Sequence, residues 1–119
     1  MKRDTRLYID DILYAIKNIE KYLKGLSFED FSKDSKTVDA VVRNFEIIGE
    51  AAKQIPIQTK QKYLKIPWRM MAGMRDKLIH AYFGVDNTVI WKAAKEDVLP
   101  LRPMFEELLQ NLDASLDTK

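Results

Sequence analysis

The chain contains no cysteine. This removes disulfides, thiolate metal sites and a cysteine nucleophile together, and a cytoplasmic location is expected. Histidine occurs once, at His80. One imidazole without Cys or clustered carboxylates supplies too few donors per chain, so neither a metal nor another cofactor is expected. Glycine and proline occur four times each, and no stretch alternates apolar and polar residues over a useful length, so strands are not expected. No run approaches the roughly 20 apolar residues that span a bilayer. The opening MKRDTRLYIDD follows its basic residues with acids, so neither a signal peptide nor a membrane anchor is expected. Internal repeats, low-complexity segments and the Gly-x-Ser-x-Gly elbow of serine hydrolases are lacking too.

What is present suits one hydrophobic core. At 119 residues and 46% hydrophobic content, the chain is expected to form a single domain over 1–119. Its 20 basic and 18 acidic residues nearly cancel, but they are unevenly placed. From Ala51 to Arg75 there is no acid, while Lys53, Lys60, Lys62, Lys65, Arg69 and Arg75 are all positive. Taken alone, that run reads as an ordinary solvated face. After Arg102 the chain turns acidic through Glu106, Glu107, Asp113 and Asp117.

The apolar spacing predicts helices throughout. Leu7, Ile12, Ile16, Ile19 and Leu23 make the stripe of a first helix from about Asp4 to Lys24, ended by Gly25. Ser27 and Asp30 form a capping-box pattern for a short turn of helix. A second long helix is predicted from about Lys36 to Gln54, on a stripe of Val38, Val41, Val42, Phe45, Ile48 and Ala52, and Pro56 closes it. A short basic piece over Gln58 to Leu64 follows. Pro67 suits the start of a third long helix reaching Phe83, with Gly84 as its stop. Asp86 or Asn87 can cap a fourth helix, and the stretch from Asp97 to Pro100 marks a break before a last one reaching about Leu112. Pro103 argues against a straight continuous helix there. The expected fold is all-α, an up-and-down bundle of four to five main helices.

The segment from Arg75 to Tyr82 gathers a fixed cation, a carboxylate, an imidazole and a phenol within eight residues. Asp76 and His80 are four apart, so on a helix the carboxylate can hold one ring nitrogen and leave the other for proton transfer. Arg75 and Tyr82 are seven apart and share a face. Arg75 and His80 are five apart, about 140° around an ideal helix, and point in different directions. Either the helix distorts near its end or the two residues meet across two protomers. By spacing alone, an ordinary helix end with packed or solvated polar residues accounts for the same segment.

Arg75, four residues, His80, one residue, Tyr82 resembles the Arg-x4-His-x-Tyr motif of the HepT-like toxins, a branch of the HEPN ribonucleases. Val41 to Ala52 looks like that family's second-helix signature, and Ile66, Pro67, Trp68 with Ala72 to Arg75 looks like its approach to the active site. Agreement extends through Val85, Asp86, Trp91 and the Lys95 to Pro100 stretch. The resemblance implies a HEPN-like bundle acting as a metal-independent endoribonuclease toxin of a type VII-like toxin–antitoxin system. It implies a homodimer, and a cognate MNT-type nucleotidyltransferase as the antitoxin. Arg75 and His80 take the catalytic positions, Asp76 fits the polar position after the Arg, and Tyr82 is the position that receives AMP. An alternative within the same resemblance is a non-catalytic helical subunit that binds a nucleotidyltransferase.

The residue chemistry agrees with RNA cleavage by the 2′-hydroxyl. That reaction needs proton transfer, which suits an imidazole, and charge stabilisation on phosphoryl oxygens, which suits a guanidinium. Two chains related by symmetry would bring two Arg and two His to one cleft. The run of Lys53, Lys60, Lys62, Lys65 and Arg69 then reads as an RNA-binding track, with Tyr63 and Trp68 either stacking on bases or lying in the core.

Overall fold

The computed structural model describes residues 4–84 and 86–117, with side chains described as far as 113. Val85, where the family resemblance continues, and the acidic side chain of Asp117 fall outside the described residues. Four long helices dominate: α1 (Thr5–Leu23), α3 (Ser35–Lys53), α5 (Trp68–Phe83) and α7 (Arg102–Asp117). Three short ones lie between them: α2 (Phe28–Lys33), α4 (Ile57–Lys62) and α6 (Asn87–Lys92). The described residues contain no strand, in agreement with the all-α bundle expected.

Each boundary has a local cause. Asp4 caps α1 by accepting from the Arg6 amide, and Gly25 leaves that helix with φ 79°, a left-handed turn that favours glycine. Ser27 and Asp30 complete the capping box of α2, and Asp34 caps α3 through the Thr37 amide and hydroxyl. The predicted stripe of α3 is buried as written. In α1 one position differs: Ile9 is buried while Leu7 is 44% exposed, because it lies about 200° around from Ile9.

The chain between α6 and α7 departs from α-geometry. Residues Ala93–Val98 form a wider π-helical turn, and Leu99–Leu101 a tighter 3₁₀ turn. Pro100 has no amide to donate to Glu96 and its ring crowds that carbonyl, which gives a physical reason for the change of pitch. Pro103 sits in the first turn of α7, where an amide has no helical partner anyway, so it does not kink the helix.

The long helices alternate in direction. Arg6 pairs with Asp113 at 3.2 Å and Arg102 pairs with Glu20, tying opposite ends of α1 and α7 together. Contacts from Asp39 to Tyr82 and from Glu50 to Arg75 show that α3 and α5 are likewise antiparallel. Phe31, Phe45 and Phe105 are fully buried in the shared core, where truncation of an aromatic ring to Ala costs about 3–5 kcal/mol. Asn44 is the one buried polar residue among those described; it donates to Ala40 carbonyl at 2.8 Å and accepts from Asn18 of α1 at 3.3 Å.

Candidate active site

The motif lies in the second half of α5. Buried Trp68, Met71, Met74 and Leu78 hold this helix on the core, and it runs without interruption from Trp68 to Phe83. The helix does not distort between Arg75 and His80. It ends where the Gly84 amide donates to His80 carbonyl at 2.9 Å; a side chain at Gly84 would bring its Cβ within 3.1 Å of that oxygen.

Arg75 sits at the edge of the α3–α5 contact. Its Nη1 donates to Glu50 Oε1 at 3.0 Å, and Lys53 Nζ lies 3.9 Å from the same oxygen. Gly49 packs against this pair: a Cβ there would stand 3.4 Å from the Arg75 Cβ and the Met71 carbonyl, in van der Waals contact with no room for a larger side chain. The guanidinium remains 46% exposed and lines an open groove of about 630 Å³ beside Arg43, Glu46 and Gln54. It is therefore held by a carboxylate while keeping donors that face solvent.

His80 and Asp76 belong to a different face. Both are exposed, one turn apart, and no hydrogen bond joins them. Arg69, Met70, Gly73, Lys77 and Phe83 are exposed on the same outward side of α5, and Phe83 is 77% accessible. At Gly73, in the middle of this face, a Cβ would meet no atom within 4 Å.

Tyr82 turns back towards α3, on the side of Arg75. Its hydroxyl donates to Asp39 Oδ1 at 2.7 Å, and its ring meets Phe83 edge-on at 5.4 Å. The hydrogen bond to Asp39, and then that carboxylate's charge, raise the phenol above the ordinary tyrosine value of 10.0. Beside the hydroxyl is a hollow of about 310 Å³ lined by Ser32, Ser35, Val38 and Asn87.

The basic run is split. Lys53 joins the Glu50–Arg75 pair, half-buried Lys60 and exposed Lys62 lie on α4, Lys65 lies in the turn after it, and Arg69 shares the outward face of α5 with His80. Trp68 is 8% exposed, packs edge-on against Phe105 at 5.6 Å and donates from Nε1 to Tyr63 carbonyl, so it is a core residue and not a stacking platform. Tyr63 is half-buried and its hydroxyl accepts from Asn111 at 3.3 Å. Sequence spacing gave no sign of Glu50 or Asp39 as partners of the motif, because they stand 25 and 43 residues from Arg75 and Tyr82.

Among the described residues, no group of three or more His, Cys, Asp or Glu is arranged as a metal-binding set. No helix there is long and apolar enough to cross a membrane.

Comparison with known proteins adds a family. The family model described as ribonuclease HepT-like matches residues 12–111. A protein of Thermococcus cleftensis named "Probable ribonuclease HepT" is 55% identical over 108 residues, covering 91% of this chain and 98% of its own length. A protein of Caldanaerobacter subterraneus subsp. tengcongensis named "Putative RNase TTE0752" is 45% identical over 108 residues, covering 91% of this chain and 96% of its own length. One of Methanocaldococcus jannaschii, "Putative RNase MJ0125", is 40% identical over 112 residues, covering 94% and 97% respectively. No solved structure matches the chain significantly.

Proposed function

Because this chain belongs to the HepT-like ribonuclease family, we propose that it is an endoribonuclease toxin whose catalytic cleft is formed between two copies of the chain. Arg75 and His80 carry the chemistry, with Asp76 beside the imidazole. The observation that carries this reading is their placement on one unbroken helix, about 140° apart, so that a single chain does not aim both at one phosphate. Gly73 supports the second copy. A glycine in a helix interior costs about 1 kcal/mol relative to alanine, and nothing in its own chain crowds this position. Close approach of a second copy over the Gly73 face supplies a reason.

Cleavage then follows from these groups without a metal. One imidazole takes the proton of the RNA 2′-hydroxyl, whose oxygen attacks the adjacent phosphorus. Arg75 donates to the phosphoryl oxygens as their charge grows, and the second imidazole, protonated, returns a proton to the leaving 5′-oxygen. The products are a 2′,3′-cyclic phosphate and a 5′-hydroxyl. Arg69, Lys65, Lys62 and Lys60 extend from the His80 face past the start of α5 to α4, and Lys53 lies beside Arg75; together they bind the RNA backbone.

Control is by a cognate MNT-type nucleotidyltransferase that attaches AMP to Tyr82. The added phosphate and purine lie on the Arg75 side of α5, where they compete with RNA by charge and bulk. The direct test incubates RNA with the purified chain in EDTA and compares the wild type with His80→Ala. Cleavage ending in cyclic phosphate, and lost in the variant, is expected. Intact RNA with the wild type would leave the non-catalytic subunit that binds a nucleotidyltransferase as the better reading.

A further inference from the structure

We propose that Asp39 is the base that takes the phenolic proton of Tyr82 when that hydroxyl is nucleotidylated, an inference that rests on the modification reading above. The 2.7 Å hydrogen bond from Tyr82 Oη to Asp39 Oδ1 is within the range in which a nucleophile and its base are coupled. With its hydrogen directed at the carboxylate, the oxygen keeps its lone pairs for an incoming phosphorus. Folding creates this pair, since the contact joins the last turn of α5 to the first turns of α3.

The surroundings suit group transfer better than a simple structural tie. Asp39 is exposed on α3, and the hydroxyl borders the hollow of about 310 Å³, so a nucleotide carried by another protein can approach from outside. Ser32, Ser35 and Asn87 line that hollow together with Asp39 and Tyr82.

The step balances with a nucleoside triphosphate, held by the nucleotidyltransferase, as co-reactant. Tyr82 Oη forms a bond to the α-phosphorus, and the bond from that phosphorus to the bridging oxygen breaks. Pyrophosphate leaves with the electron pair. The proton moves from Oη to Asp39 Oδ1 and on to water. At rest the carboxylate keeps the phenol neutral, so the oxygen becomes strongly nucleophilic only as the proton moves during attack. Afterwards the phosphodiester has no proton to donate, and its charge opposes that of Asp39, so the modified side chain leaves the contact.

The experiment measures initial rates of AMP incorporation at Tyr82 by peptide mass, using ATP and the cognate nucleotidyltransferase. Wild type, Asp39→Asn, Asp39→Glu and Tyr82→Phe are compared, each first checked for a native helical circular dichroism spectrum. The amide oxygen of Asp39→Asn still accepts the hydroxyl hydrogen bond but is a far weaker base. A fall in kcat for transfer of about 10²-fold or more, with little change in KM for the chain, is expected. Asp39→Glu should recover part of the rate, and Tyr82→Phe should take no AMP. A wild-type rate in Asp39→Asn, or a loss confined to KM, overturns the assignment of Asp39 as base. Failure of the wild type itself to take AMP overturns the modification reading and this inference with it, and the wild-type arm alone reveals that case.

Discussion

Arg75 Nη1 stands 3.0 Å from Glu50 Oε1, and the pair lies beside Gly49, where α3 and α5 come together. The guanidinium proposed to bind phosphoryl oxygens is thus anchored by a carboxylate on a neighbouring helix. Both partners are about half exposed, at 46% and 53%, so solvent weakens the pair and its contribution to stability is about 1 kcal/mol at most.

Arg75→Ala is accordingly expected to reduce RNA cleavage by about 10²-fold or more, while thermal unfolding shifts by no more than that small stability term. Arg75→Lys should also cleave poorly, because an ammonium keeps the charge but loses the planar fork. Single-turnover cleavage assays and thermal melts on the same preparations check both halves. Wild-type cleavage by Arg75→Ala would remove this residue from the mechanism.

Gly49→Val tests the helix contact behind the site. Its Cβ falls at the limit of van der Waals contact with Arg75 Cβ and Met71 carbonyl, and the branched methyl groups have to push α3 and α5 apart. A loss of about 1–3 kcal/mol in denaturant unfolding is expected, together with slower cleavage as Arg75 shifts. Unchanged stability would mean that the two helices separate at no cost, contrary to the packing described.

Gly73→Leu addresses the second copy. Within one chain the position is open, and leucine is a better helix former than glycine, so an isolated chain should gain stability. At an α5–α5 contact the same side chain blocks approach. Sedimentation is therefore expected to show a dimeric wild type and a monomeric, inactive variant. As a complement, mixing Arg75→Ala with His80→Ala should restore partial cleavage if one intact Arg and one intact His suffice. A wild type that cleaves RNA as a monomer would sink the shared-cleft argument.

Tyr82 provides a pH signature. The Asp39 hydrogen bond and charge raise the folded-state phenol above its ordinary value, so the neutral form is favoured by folding. The stabilisation is fully present below the ordinary tyrosine range and is lost as pH rises through the raised folded value. In an NMR titration of the tyrosine rings, Tyr82 should therefore ionise at higher pH than an unperturbed tyrosine, and Asp39→Asn should move its midpoint down. An unchanged midpoint in that variant would show that Asp39 does not set the ionisation of this residue.

The sequence by itself was enough for the helices, because their causes are local. Stripes such as Val38, Val41, Val42, Phe45, Ile48 and Ala52 repeat at the helical period, and Asp4, Ser27, Asp34 and Asp86 cap through amides two or three residues away. The family, too, was legible in the Arg75, His80, Tyr82 spacing and the blocks that precede it. Trp68 was not, since an aromatic beside a basic run has the same pattern whether it stacks on bases or packs on Phe105. Tertiary structure alone decided which residues hold the motif. Glu50 meets Arg75 across 25 residues and Asp39 meets Tyr82 across 43, because antiparallel packing of α3 on α5 sets those pairs side by side. Hydrophobic periodicity selects the face of each helix that is buried, while the register between two buried faces depends on how their side chains interlock, as where Gly49 of α3 packs against Met71 and Arg75 of α5.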